Sequence, residues 1–128
     1  MNSNVFAAII THGELACALA NVAENLMTSE ITLHCYSTKI LSSEEIINQL
    51  EEKITQQKPE KVLLFVDLVG GGCWIIANKI KKNNEHINVL AGVNVPMIVS
   101  FLINFKRLEW PSLLEKITAD AQKGIILR

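Results

Sequence analysis

Twice in this chain an almost wholly apolar run, too short to make a helix, leads to a residue that can do chemistry. Residues 4–11 (NVFAAIIT) run into His12. Residues 61–68 (KVLLFVDL) carry Asp67 and are followed by Gly70, Gly71 and Gly72. A strand with one wet face alternates apolar and polar positions. Continuous apolar runs of this length belong to strands covered on both faces, as in a parallel sheet between layers of helices.

Helical spacing fills the intervals. From Glu14 to about Met27, Leu15, Leu19, Val22, Ala23 and Leu26 form one stripe, and Ser43 opens SEEIINQLEEKI with Ile46, Ile47, Leu50 and Ile54 on one side. Further helices are expected over Trp74–Lys82, roughly 96–106 with Pro96 near its start, and from Trp110 to a stop at Gly124. Residues 31–36 and 87–93 complete a strand–helix alternation. The tail GIILR is too short for a helix and too apolar to be solvated, so a fifth short strand in need of an edge is expected there. The alternation predicts an α/β fold, doubly wound around a mostly parallel sheet of flavodoxin-like order. Helices cover both faces, and residues 1–128 form a single domain.

Bulk properties narrow the function. With 12 Lys+Arg against 13 Asp+Glu, net charge −1, and no basic run, nucleic-acid binding is not expected. Lys79, Lys81 and Lys82 read as a solvated helix end. No apolar run is long enough to span a bilayer, and Asn2 to Asn4 supply no positive leader region. Cys17, Cys35 and Cys73 are an odd number without CxxC spacing, and are read as free thiols in a reducing, cytoplasmic compartment. No cofactor and no metal is expected.

In flavodoxin-like order the first and third strands flank the crevice where strand order reverses, and ligands bind outside the carboxyl ends of those strands. His12 and Asp67 would emerge there side by side. A carboxylate accepting from Nδ1–H fixes the ring's tautomer and stabilises charge growing on it, which leaves Nε2 as the nucleophile. Amides of the Gly70-Gly71-Gly72 turn, opening the next helix, suit phosphoryl oxygens, and Gly13 allows a sharp turn after the histidine. Alone, His12 also reads as a turn residue, Asp67 as a helix cap and the glycines as a flexible turn. Their coincidence at one crevice favours phosphoryl acceptance. His34 and His86 lack metal-ligand spacing and are assigned core or surface roles. Cys73 borders a helix N-terminus, where thiolate is favoured, yet a packing role is preferred for it, as for Trp74, Met97 and Phe101.

Three segments, IITHGELA, LLFVDLVGGGCWIIAN and VLAGVNVPMIVSFL, resemble the mannose-type IIA domains of the bacterial phosphoenolpyruvate-dependent sugar phosphotransferase system, in matching order and spacing across nearly the whole chain. The resemblance implies a phosphohistidine relay. His12 would take a phosphoryl group from the histidine-containing phosphocarrier protein and pass it to a IIB component on a separate chain, for uptake of a hexose of the mannose or fructose type. Membrane contact would be indirect, through the transporter. It further implies a homodimer exchanging C-terminal strands, for which Gly124–Arg128 is suited. Where the family usually has Gly-Gly-Ser-Pro, this chain has Gly70, Gly71, Gly72 and Cys73, so a serine hydroxyl and a rigid proline are missing. That departure gives weight to a regulatory phospho-acceptor that moves no sugar. A flavodoxin-like cofactor binder is the third class, and the glycine turn lacks its fingerprint.

Overall fold

A computed structural model describes residues 4–128; the first three residues of the expected 1–128 domain lie outside the described range. The elements are β1 (Val5–Thr11), α1 (Leu15–Leu26), β2 (Leu33–Ser37), α2 (Ser43–Gln57), β3 (Lys61–Val66), α3 (Gly72–Lys82), β4 (Ile87–Ala91), α4 (Val95–Asn104) and α5 (Trp110–Lys123). The strands pair in parallel in the order β2-β1-β3-β4. From β1 the chain steps one way to β2 and the other way to β3, so the crevice between β1 and β3 is the switch point.

The apolar runs split by parity between two cores. Ala7 and Ile9 of β1 and Leu63 and Phe65 of β3 meet α1, α4 and α5. Phe6, Ala8 and Ile10 of β1 and Val62, Leu64 and Val66 of β3 meet α2 and α3. Period-2 alternation thus supplies both layers from strands with no polar face, as the sequence implied. Truncating a ring such as Phe65, fully buried on β3 and edge-on to Phe101 of α4, costs about 3–5 kcal/mol.

Local chemistry fixes the helix ends. Ser42 caps α2 by accepting from the Glu45 amide, and the Ser42 amide donates to the Glu45 carboxylate, a capping box worth about 1 kcal/mol. Asn94 accepts from the Met97 amide at the start of α4 and donates to the Ala121 carbonyl, tying α4 to the end of α5. Lys79, Lys81 and Lys82 lie exposed in the last turn of α3, where cations suit the helix dipole. Among the described residues no helix is long and apolar enough to cross a membrane.

In the single chain the tail after Lys123 forms no strand. Ile125, Ile126 and Leu127 are exposed, although Ile125 lines a cavity of about 140 Å³ beside Leu90 and Ala91 of β4. Five residues directly after α5 do not enter the ladder of their own β4 edge. One expectation is corrected: Cys17 and Cys35 form a disulfide, and Cys73 alone is free. The link is spatial. Helix α1 packs against β2, bringing the two α-carbons within 5.1 Å across 18 residues of sequence.

Candidate active site

Register brings the site together. Ile10 pairs with Val66 and Thr11 with Ser37, so β1, β2 and β3 end nearly level. His12 and Asp67 are the next residues outward on β1 and β3. Past His12 the chain must turn at once into α1, and Gly13 does so in the left-handed region at φ 58°. The turn is held from both sides: the Thr11 hydroxyl oxygen accepts from the Ala16 amide at 2.6 Å, and the Ser37 hydroxyl donates to the Gly13 carbonyl. Ser37 was missed by sequence reasoning. Its signal was its place at the carboxyl end of the strand beside β1.

On the other side, Gly70 at φ 80° lets the chain after Asp67 double back so that the Gly71 amide donates to the Leu68 carbonyl at 3.2 Å. Gly71 then becomes the N-cap of α3. It carries no side-chain cap, and the first intrahelical bond runs from Ile75 to Gly71. The amides of the first turn of α3 therefore have no partner within the helix, and the positive end of its dipole faces the crevice.

Asp67 clasps His12 twice with one oxygen. Oδ2 accepts from the His12 backbone amide at 2.9 Å and lies 2.8 Å from Nδ1. Burial alone would raise the Asp67 pKa, but the bonds from the His12 amide and ring, together with the ring's charge, hold it below the usual carboxylate range. An ionised carboxylate only accepts, so Nδ1 carries the hydrogen and the neutral ring has its lone pair on Nε2. The His12 side chain is 55% exposed and that of Asp67 18%. A Cβ at Gly72 would lie 3.6 Å from Nε2, and one at Gly71 would lie 3.5 Å from Cε1, so the bare glycines keep space open beside the ring.

Cys73 is buried in the first turn of α3, with Sγ 3.9 Å from His12 Nδ1. Burial and then the negative charge of Asp67 push this thiol up to about 11, outweighing the preference for thiolate at a helix N-terminus. It is a neutral thiol at neutral pH. His12, Asp67 and Cys73 each offer one ligand atom within 4.8 Å of the others, a group that could hold a metal among the described residues.

The remaining candidates are structural. His34 stacks on Phe6 with ring centroids 4.6 Å apart, and burial followed by the nearby Lys53 lowers its pKa. His86 lies in the turn before β4 and its carbonyl accepts from the Val62 amide. Trp74 packs on the α2–α3 core and Met97 and Phe101 lie in the opposite one. An exposed apolar set lies just past the carboxyl ends of the strands: Leu15 at the start of α1, Ile40 after β2, and Leu68 and Val69 after β3.

Fold and site together define a flavodoxin-order α/β domain whose switch point presents an imidazole held by a carboxylate, facing an uncapped helix. The family model described as EIIA-man, PTS system fructose IIA component, matches residues 7–118. This chain belongs to that family of phosphotransferase-system IIA components.

Among its relatives is the PTS system mannose-specific EIIAB component of Escherichia coli (strain K12), 30% identical over 116 residues. That alignment covers 89% of this chain and 35% of the relative, so the chain spans about a third of the length of the curated relatives it matches. The fold is shared with the phosphotransferase system component EIIA from Streptococcus agalactiae, at TM-score 0.82, 18% identity and 96% coverage of both chains. It is shared too with the mannose/sorbose specific IIA subunit from Enterococcus faecalis, at TM-score 0.81, 15% identity and coverage of 100% and 96%.

Proposed function

We propose that His12 is a phosphoryl acceptor that takes its group from the histidine-containing phosphocarrier protein and hands it to a IIB component, in uptake of a hexose of the mannose or fructose type. The observation that carries this reading is the double clasp of Asp67 on His12, which leaves Nε2 as the nucleophilic atom at the mouth of the crevice. In the first step the nitrogen–phosphorus bond on the carrier breaks as a bond from Nε2 to phosphorus forms. Positive charge grows on the ring with Nδ1–H still bonded to Asp67, and the carboxylate stabilises it. The second step reverses this chemistry toward the IIB acceptor.

Phosphoryl transfer asks for positioning and charge stabilisation, and the start of α3 supplies both. The Gly71 amide already donates to Leu68, so the phosphoryl oxygens are assigned to the amides of Gly70 and Gly72, with Gly71 contributing room beside the ring. The exposed apolar rim of Leu15, Ile40, Leu68 and Val69 suits protein donors and acceptors in place of a small molecule. A cytoplasmic homodimer belongs to the same reading. The tail 124–128 would pair with the open β4 edge of a second copy, which gives its exposed Ile126 and Leu127 a place to be buried.

The test is incubation with the general phosphotransferase proteins and labelled phosphoenolpyruvate. Acid-labile label on the wild type and none on His12→Ala is the expected result. Label retained by His12→Ala moves the site elsewhere.

A further inference from the structure

We propose that His12, Asp67 and Cys73 form a three-ligand site for a divalent cation of the zinc class, and that metal and phosphoryl group compete for the same imidazole. The competition rests on the phosphotransfer reading; the metal site does not.

Two independent observations carry it. The three ligand atoms converge within 4.8 Å from three separate stretches of chain, one after β1, one after β3 and one in α3. Separately, Asp67 spends only Oδ2 on His12. Its other oxygen, Oδ1, is buried without a hydrogen-bond partner. A buried carboxylate oxygen left bare is a standing cost, and a cation beside it removes that cost.

The donor set selects the metal. One sulfur, one imidazole nitrogen and one carboxylate oxygen match zinc, whereas magnesium and calcium take oxygen ligands throughout. Around a tetrahedral zinc, with bonds of about 2.0–2.3 Å, ligand atoms lie roughly 3.3–3.6 Å apart. The Sγ–Nδ1 distance of 3.9 Å is close to that, and the widest separation closes by about an ångström through side-chain rotation. His12 is exposed, so the ion has a way in. The fourth position stays open to water.

The proton balance explains the competition. On coordination the Cys73 thiol loses its proton to solvent. Nδ1 gives up its hydrogen to bind the ion, and the neutral ring carries it on Nε2 instead. One proton is released overall, and Nε2 no longer has the lone pair that attacks phosphorus. A ring phosphorylated on Nε2 keeps its hydrogen on Nδ1 and cannot ligate. Cys73, in the first turn of α3, supplies the third ligand.

Cobalt(II), added to the disulfide-intact chain, is the probe. A near-ultraviolet sulfur-to-cobalt charge-transfer band saturating at one ion per chain is expected, with loss of the band in Cys73→Ser and in His12→Ala. Cys73→Ala, which avoids a buried hydroxyl, must lose it as well, and circular dichroism checks that each variant is folded. No band, or a band that survives Cys73→Ser and Cys73→Ala, overturns the site. In the second arm, phosphoryl acceptance from isolated phosphocarrier is compared with zinc and with chelator. Zinc is expected to slow the wild type at least 10-fold and to have far less effect on Cys73→Ser. A cobalt band without zinc inhibition overturns the competition alone. Absence of acceptance even in chelator overturns the phosphotransfer reading and leaves the band to decide the metal site.

Discussion

Oδ2 of Asp67 holds both the backbone and the ring of His12, at 2.9 and 2.8 Å, across 55 residues of sequence. One oxygen thereby fixes where the histidine is and which of its nitrogens is free. Removing it is expected to damage transfer more than folding. Asp67→Ala should lower phosphoryl acceptance about 10–100-fold, as for other groups that orient a reacting imidazole. Single-turnover rates from phosphocarrier, with circular dichroism as the control for fold, check this.

The same carboxylate makes a prediction about pH. Its folded pKa is depressed, so its contribution to stability is fully present above the ordinary aspartate value of about 3.9. It is lost as pH falls through the lower folded value. The stability gap between wild type and Asp67→Ala should be constant at neutral pH and close below about pH 3.9. Urea titrations of both proteins across that window measure it. A gap that widens on acidification contradicts the assignment.

Gly71→Ala separates space from fold. Its Cβ would lie 3.5 Å from His12 Cε1 and no nearer than 3.4 Å to any other atom, so the chain accommodates it. The methyl group would stand beside the reacting ring. Acceptance should fall at least 10-fold, about 1.4 kcal/mol in the barrier, with Tm unchanged within a few degrees. Equal losses in rate and Tm would mean that the glycine serves the fold alone.

Leu68 and Val69 are 63% and 67% exposed on the loop carrying Asp67. If that rim docks protein partners, Leu68→Asp and Val69→Asp should raise the apparent KM for phosphocarrier about 10-fold, with kcat nearly preserved, the pattern of lost uniform binding. Steady-state transfer assays distinguish this from a loss confined to kcat.

The Cys17–Cys35 link closes 18 residues, and a loop of that size gives about 3 kcal/mol by the chain-entropy account. Cys17→Ser should lose about that much stability under oxidising conditions, and reductant should bring the wild type down to the variant. Denaturant midpoints with and without dithiothreitol read it directly.

Much of this was legible in the residues. VFAAIIT and KVLLFV declare strands covered on both faces, and strand–helix alternation fixes a parallel sheet, so His12 and Asp67 could be paired before any distance was known. The register of Ile10 with Val66 is the geometric reason that inference holds. What escaped depends on contacts that no local pattern encodes. The disulfide needed α1 to pack on β2. A helix terminus favours the Cys73 thiolate by only about 0.3–1 kcal/mol, whereas burial and Asp67, contacts of the packed fold, set its state. The Gly71 amide was counted for phosphate, yet the turn made by Gly70 spends it on Leu68.

The central claim concerns one atom. Nitrogen-15 and phosphorus-31 NMR of the phosphorylated chain, labelled in histidine, identifies which ring nitrogen bears phosphorus. The account predicts one-bond coupling of phosphorus to Nε2 of His12, with Nδ1 still protonated and bonded to Asp67. Coupling to Nδ1, or a phosphohistidine signal that persists in His12→Ala, would contradict it.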